Sequence, residues 1–477
     1  MSTYKTTIGL EIHAELKTQT KMFCDSKNDP FNSAPNANIC PVCMGHPGTL
    51  PVINKKAVES VLRVGVAVGG ELADFTEFDR KNYFYPDIPK GYQLSQYKYP
   101  LVKGGELAGV KLTRIHLEED TASSSHDTGD YSLVDFNRAG VPLMELVTEP
   151  VIHTAEEAGN FGRELQLLLR TLGVSGANME KGEMRLEVNI SLSDTEKLGT
   201  KVEVKNIGSF KAAEKAIAYE IARHTQLLKA GEKIVQETRG WDDEKGKTFS
   251  QRKKEDSHDY RYFPDPDLPK LKISEIPEFS KENLAKSLPE LPWEKRARYA
   301  AIGLKPTDVY IYVTIPEVGA FFEATANALG DRKESVLLAS NYISTDILGL
   351  IKKKHGEGHE NEIARLPFAP AQFAQLIGMI EKKDVSSRGA KDILGFMLES
   401  GGEPMKIATE KQLIQKSDEG AVKKIAEEVI TENPKVVEDY KSGKVALLQF
   451  LIGQGMKKSK GSANPEVLKA AFLALLS

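Results

Sequence analysis

The chain has 477 residues, 40% of them hydrophobic and 28% charged, which is too long for one core of ordinary size and predicts about two to four domains in a globular protein. A formal charge of −4 supplies no global attraction for nucleic acid, so any RNA would have to be held by a local basic patch. There is no run of 18 apolar residues, and Met1–Thr7 leads straight into patterned sequence, so the expectation is a cytoplasmic protein with neither membrane helix nor targeting peptide.

Ile8–Lys17 alternates as a strand, with Ile8, Leu10, Ile12, Ala14 and Leu16 on one face and Gly9, Glu11, His13, Glu15 and Lys17 on the other. Same-face neighbours on a strand sit about 6.5–7 Å apart. Glu11 and His13 can therefore converge on one ion, or simply form a solvated polar stripe. Cys24 then precedes Cys40-Pro-Val-Cys43, a knuckle of zinc-site spacing. Three cysteines fall one ligand short of a closed zinc site, which Asp25 or His46 could complete. The other reading is reduced thiols in a Pro/Gly-rich loop, and an odd cysteine count fits a reducing compartment.

A helix is predicted over Asn54–Val68. Phe78–Gln96 follows, where aromatics interleave with Arg80, Lys81, Asn82, Lys90, Gln93, Ser95 and Gln96. Stacking faces beside cations and amides suit a planar or phosphorylated ligand, although an exposed loop packed by its own tyrosines would read the same way. Val110–Asp120 ends in Arg-Ile-His-Leu-Glu-Glu-Asp. Strand alternation puts Arg114, His116, Glu118 and Asp120 on one face, with Ile115, Leu117 and Glu119 on the other. Adjacent carboxylates beside strand residues ask for a cation, or mark a strand running into a salt-bridged turn. Glu119 is the odd one out: either a bulge rescues it or it points somewhere functional.

After Arg138–Glu149, Thr154 and Glu157 form a capping box for a helix that Gly173 stops. Arg185–Ser191 and Lys201–Lys205 alternate again, giving polar faces of Arg185, Glu187, Asn189 and Ser191, and of Lys201, Glu203 and Lys205. Three strands can thus bring carboxylates, bases and an amide to one sheet surface. A helix over Lys211–Ala230 follows. Around Arg252 and His258–Asp267, prolines predict extended wall or loop. Ser274–Pro292 reads as a boundary. The rest is helical: Trp293–Gly303, Pro316–Leu329, Ser335–Lys354, Pro370–Glu381 and Gly389–Leu398, with a loop at His355–Glu362. Lys441–Pro465 carries five lysines and no acid, a patch able to grip phosphates or a plain solvated helix end. No phosphate loop of the Gly-x-x-x-x-Gly-Lys type, dinucleotide fingerprint or nucleophile elbow occurs, so any nucleotide must bind by another device.

Ile8-Gly-Leu-Glu-Ile-His13, Phe78-Asp-Arg-Lys-Asn-Tyr-Phe-Tyr-Pro-Asp87, His116-Leu-Glu-Glu-Asp120, Glu203-Val-Lys-Asn206, Asp259-Tyr-Arg-Tyr-Phe-Pro264 and Gln449–Gly461 resemble, along the full length, the B subunits of aspartyl/glutamyl-tRNA(Asn/Gln) amidotransferases, the GatB/GatE family. The resemblance implies an α+β cradle domain over 1–292, built on a largely antiparallel sheet with flanking helices, then a helical domain over 293–405 and a helical tail over 406–477 that contacts tRNA. It implies a reaction in which ATP and magnesium phosphorylate the side-chain carboxylate of Glu-tRNA(Gln) or Asp-tRNA(Asn), after which ammonia displaces phosphate. The implied partners are an amidase-type A subunit that supplies ammonia through a channel and a small C subunit, in a heterotrimer.

Carried onto this chain, Glu11 and His13 with Glu118 or Glu119 match the family's metal-binding and channel-gating positions. Arg80, Lys81, Lys205 and Arg185 become candidates for phosphate or carboxylate contacts, with Glu187 and Asn189 beside them. Cys24, Cys40 and Cys43 match the family's zinc knuckle. The chain departs from the family pattern at Thr121-Ala-Ser123, where Ala-Gly-Lys is usual, at Arg185-Leu-Glu187, where Arg-Cys-Asp is usual, and at Ser26, where zinc-bearing members carry a cysteine. The Thr121–Ser123 departure keeps a non-catalytic tRNA-binding scaffold as the alternative, against which the intact Glu11, His13, Glu118 and Glu119 argue; a stand-alone carboxylate–amine ligase would have to use free ammonia.

Overall fold

A computed structural model describes residues 4–125, 129–253, 261–415, 419–459 and 463–476. Of the residues singled out above, His258, Asp259, Tyr260, Lys460 and Gly461 lie outside the described residues, as does the side chain of Arg252. The chain divides into two compact units, Met1–Pro292 and Trp293–Ser477.

The first unit is organised on strand β1 (Lys5–Glu15), whose apolar row is wholly buried: Ile8, Leu10, Ile12 and Ala14 are all 0% exposed. The other strands that matter are β2 (Asp79–Asn82), β3 (Tyr92–Ser95), β4 (Val110–Glu119), β5 (Pro142–Thr148), β6 (Met184–Ser193), β7 (Val202–Ile207), β8 (Glu237–Asp242), β9 (Lys247–Lys253) and β10 (Tyr262–Pro264). The main sheet runs β9-β8-β7-β6-β1-β5-β4 and continues through Val102–Lys103 to Glu71–Leu72. Every adjacent pair along it is antiparallel except β7 with β8. A separate three-stranded sheet, β10-β2-β3, carries the aromatic stretch. The prolines after Tyr262 did leave extended chain, and β10 pairs Phe263 with Arg80.

Helices close the apolar face. Helix α1 (Lys55–Ala67) starts where Asn54 accepts hydrogen bonds from the backbone N–H groups of Lys56 and Ala57. Helix α2 (Ala155–Thr171) begins in the Thr154/Glu157 capping box and turns Phe161, Leu165, Leu168 and Leu169 into the core, each 0% exposed. Helix α3 (Phe210–Lys229), capped by Ser209, lies beside α2 and on β6. Gly162 of α2 is one place where they meet closely: a Cβ there would stand 2.6 Å from the Phe210 ring and 3.4 Å from Leu186 of β6. With one face of the central strands sealed by helices, their polar rows are left on the other.

The named elements of the second unit's described residues are all helices. Helices α4 (Pro306–Thr314) and α5 (Pro316–Leu329) are joined by a single residue, Ile315. The helix expected over Ser335–Lys354 is interrupted by a wide π-type turn at Tyr342–Ile347, between Lys333–Asn341 and Leu348–His355. Near the C-terminus Val422, Ala426, Val429, Leu451, Leu468 and Phe472 form their own core, none more than 1% exposed. In the lysine-rich stretch, Lys458 is ion-paired with Glu428 at 3.0 Å and with Glu432, and Lys444 with Asp439 at 3.0 Å. Part of that positive charge is therefore neutralised within the fold. No described helix is long and apolar enough to cross a membrane.

Candidate active site

The register of β1 between β6 and β5 assembles the site. His13 pairs with Arg185 on one side and Glu145 on the other, and Glu145 pairs in turn with His116 of β4. Two residues along, Glu11 pairs with Glu187 on β6. Because side chains alternate, these rows project from the face opposite the helices. The Nε2 atoms of His13 and His116 each stand 3.4 Å from Oε2 of Glu145, and His13 Nε2 is 3.6 Å from Glu118. Next to them Asn189 donates to Glu11 at 2.8 Å, and Lys205 bridges Glu187 at 2.9 Å and Glu203 at 3.6 Å.

Two sets of donors result. One ligand atom from each of His13, Glu118 and Glu145 lies within 4.8 Å of the others, and the same holds for Glu11, Glu187 and Glu203. Burial opposes charge on His13, but its hydrogen bond to Glu145 and the Glu118 carboxylate outweigh it and raise the imidazole to about 9. Burial, reinforced by Glu145, pushes Glu118 upward; Glu11 moves the same way from burial, Glu145 and Glu187. Glu145 moves down despite its burial, since it faces two imidazoles. Carboxylates crowded this closely on a buried face are short of positive charge, the condition under which a cation binds. The Nδ1 atoms of His13 and His116 and the Oδ1 of Asn189 are buried without a hydrogen-bond partner. An oxygen-rich donor set with one imidazole fits a hard divalent cation such as magnesium, with His13 the least typical member, since the cation must displace the proton that Glu145 and Glu118 favour on it.

Other residues expected at the site are held differently. Glu119 projects from the opposite side of β4 from Glu118, without a bulge: it is ion-paired with Lys90 and accepts the backbone N–H of Leu94 at 2.9 Å. It is therefore not brought together with Glu11, His13 and Glu118. Arg185 forms a two-pronged pair with Asp120, at 3.0 and 3.1 Å. Arg80 is committed to Asp265 at 2.6 Å and Asp267 at 3.1 Å, and lies 4.4 Å over the Tyr92 ring. Lys81 of β2 lies over Tyr83 and stabilises the charged form of Glu118. Glu145 was not singled out from sequence. Its signal was an acid inside the apolar run Val141–Val147.

The three cysteine sulfurs also lie within 4.8 Å of one another. Among the described residues no fourth cysteine, histidine or carboxylate joins them. Instead the Nζ of Lys21, a residue 0% exposed, lies 3.8 Å from the Cys43 sulfur and Ser26 Oγ 3.9 Å from it. A closed tetrahedral zinc site takes four ligands, and here the Lys21 amine occupies the space beside the Cys43 sulfur. The residues present do not fit such a zinc.

Residues 6–277 match the family model of the GatB/GatE catalytic domain, and residues 320–476 match that of the GatB domain. The chain is 45% identical to the B subunit of the aspartyl/glutamyl-tRNA(Asn/Gln) amidotransferase of Thermus thermophilus, over 99% of both chains. The corresponding B subunits of Persephonella marina, 44% identical over 99% of both, and Carboxydothermus hydrogenoformans, 41% identical over 98% of both, are similar along their whole length as well.

Proposed function

The chain belongs to the GatB/GatE family and is an amidotransferase B subunit, and on that premise we propose that it carries the kinase and transamidase steps of a tRNA-dependent amidotransferase. In this reading the side-chain carboxylate of Glu-tRNA(Gln) or Asp-tRNA(Asn) attacks the γ-phosphorus of ATP, ADP leaves, and an acyl phosphate forms. Ammonia then adds to the activated carbonyl and phosphate leaves, giving the amide.

The observation that carries the reading is the pair of donor sets, His13/Glu118/Glu145 and Glu11/Glu187/Glu203, side by side on the sheet face away from the helices. Magnesium bound there would draw charge from the transferring phosphoryl group. The chain's own residues do the positioning. Asn189 orients Glu11, Glu145 is fixed between two imidazoles, and Lys205 holds Glu187 and Glu203 in place. Lys81, the cation next to Glu118, is assigned to meet phosphate. Arg80 and Arg185, each committed to carboxylates, are assigned to shaping the walls. We assign Glu119 with Lys90 to the passage through which ammonia arrives.

Partners follow from the division of labour: an amidase-type A subunit releasing ammonia from glutamine, a small C subunit, and a tRNA gripped in part by the helical tail, residues 406–477. The test uses the complex with those partners, supplied with ATP, magnesium, ammonium and each misacylated tRNA. Amide formation by wild type, lost in Glu11→Ala with tRNA binding retained, supports the reading. Tight tRNA binding without turnover by wild type would leave a non-catalytic scaffold.

A further inference from the structure

The cysteine cluster does more than miss a zinc ligand. Two nitrogen donors converge on the Cys43 sulfur, the backbone N–H of Cys40 at 3.1 Å and Lys21 Nζ at 3.8 Å, with Ser26 Oγ at 3.9 Å beside them and the Cys40 carbonyl oxygen at 3.4 Å. An amide N–H and an amine aimed at a sulfur favour its thiolate over its thiol. Lys21 contacts that sulfur and, at 3.1 Å, the backbone carbonyl of Phe136, and it makes no ion pair with a carboxylate among the described residues. The thiolate is thus its charge partner in place. Beside the sulfurs is a cavity of about 100 Å³ whose lining includes Cys24, Cys43, Lys90 and Glu119. A water molecule takes about 30 Å³ of liquid, so a solute of peroxide size fits.

We propose that Cys43 and Cys24 form an oxidisable pair, in which hydrogen peroxide converts the two thiols to a reversible disulfide. The Cys43 thiolate attacks one peroxide oxygen. The O–O bond breaks, the sulfur is oxidised to sulfenic acid, and the departing hydroxide takes up a proton as water. The Cys24 sulfur then attacks the sulfenic sulfur. The S–S bond forms, the S–O bond breaks, and the Cys24 proton leaves with the hydroxide as a second water. Geometry selects Cys24 as the resolving thiol: its sulfur lies within 4.8 Å of that of Cys43, and both residues line the cavity whereas Cys40 does not. The hydrogen bonds that hold Cys43 below the ordinary thiol range, that from Cys24 first, favour the same direction of attack. A low thiol pKa also weakens the nucleophile, so the distinguishing feature of the pair is a second thiol within 4.8 Å. A resolving thiol at hand ends oxidation at the disulfide.

Gly140 shows how far the change reaches. A Cβ at that position would lie 3.5 Å from Cys43 Cβ, 3.6 Å from Lys21 and 3.9 Å from the Glu119 carboxylate. One side of this small space is the thiol pair and the other is the Lys90–Glu119 pair. The oxidation chemistry does not depend on what reaction the chain performs.

The test is peptide mapping under non-reducing conditions of the purified full-length protein, after exposure to hydrogen peroxide, with zinc measured on the same sample. The expected result is loss of two of the three thiols, a Cys24–Cys43 linked peptide, return of both thiols with dithiothreitol, and less than one zinc per ten chains. Cys24→Ser is expected to leave Cys43 as a sulfenic acid that dimedone traps, and Cys43→Ser to abolish the link. One zinc per chain with thiols that resist peroxide, or a Cys40–Cys43 link instead, overturns the proposal.

Discussion

Glu145 of β5 sits opposite His13 of β1, with its Oε2 3.4 Å from the imidazole Nε2. The same oxygen is 3.4 Å from His116, so one carboxylate ties three adjacent strands together across the site. Glu145→Gln keeps the shape and removes the charge. It is expected to weaken divalent-cation binding about 10–100-fold or more, the range seen when groups that orient metal ligands are lost. A manganese titration of wild type and variant measures this; equal affinities would contradict the placement of the cation.

Arg80 and Asp265 predict a stability effect in the small sheet. The Asp265 side chain is 0% exposed, and Arg80 Nε is 2.6 Å from it. Arg80→Ala leaves that carboxylate buried without its partner, which costs about 3–5 kcal/mol. Lysine cannot span both Asp265 and Asp267, so Arg80→Lys should recover only part of the loss. Urea unfolding curves read both; a loss under about 1 kcal/mol, the worth of an exposed pair, would contradict the prediction.

Glu220 gives a pH dependence outside the site. Its side chain is 0% exposed, between Arg223 at 2.7 Å and His224 at 3.1 Å. Thr248 donates to it at 2.6 Å. Burial raises its carboxyl, but the hydrogen bonds from His224, Arg223 and Thr248 outweigh burial and lower it from 4.5 to about 2. With the folded value below the unfolded one, the stabilisation is present above about pH 4.5 and is lost as pH falls toward 2. Thermal unfolding of wild type and Glu220→Gln should differ most at pH 5–6, by roughly 3 kcal/mol, and converge in acid. A gap that stays constant down to pH 2.5 would contradict the linkage.

Gly319 predicts a steric effect in the second unit. A Cβ there would stand 2.3 Å from the backbone carbonyl oxygen of Tyr312, where α5 folds back on α4. A carbonyl cannot swing away as a long side chain can. Gly319→Ala is therefore expected to cost about 1–3 kcal/mol, the range for overpacking, despite alanine's better helix propensity. An unchanged unfolding midpoint would show that the two helices can part freely.

Much of this arrangement was legible because period-2 alternation is a local property. It assigned Glu11, His13 and Glu15 to the face opposite Ile8, Leu10 and Ile12, and put Glu118 and Glu119 on opposite sides of their strand. Asn54 and the Thr154/Glu157 box marked helix starts to within a residue. Register was not legible. Nothing in Val141–Val147 says that Glu145 will face His13 and not slip by two, and Asp120 gives no sign of Arg185, 65 residues away. The β8–β9 hairpin escaped notice because Lys247-Thr-Phe-Ser-Gln is mostly polar on both faces. The partners of Arg80 and Arg185 are likewise products of folding: both were candidates for phosphate or carboxylate contacts, and in the fold each holds carboxylates of the chain itself.

The most direct test of the central claim is ADP release by the assembled complex without ammonia or glutamine, comparing Glu-tRNA(Gln), uncharged tRNA and no tRNA. A phosphorylating site on this sheet face predicts magnesium-dependent ADP release with the misacylated tRNA alone, lost in Glu145→Gln and in Glu11→Ala. Release that both substitutions leave unchanged, in complexes that still bind tRNA, would place the kinase elsewhere and contradict the account.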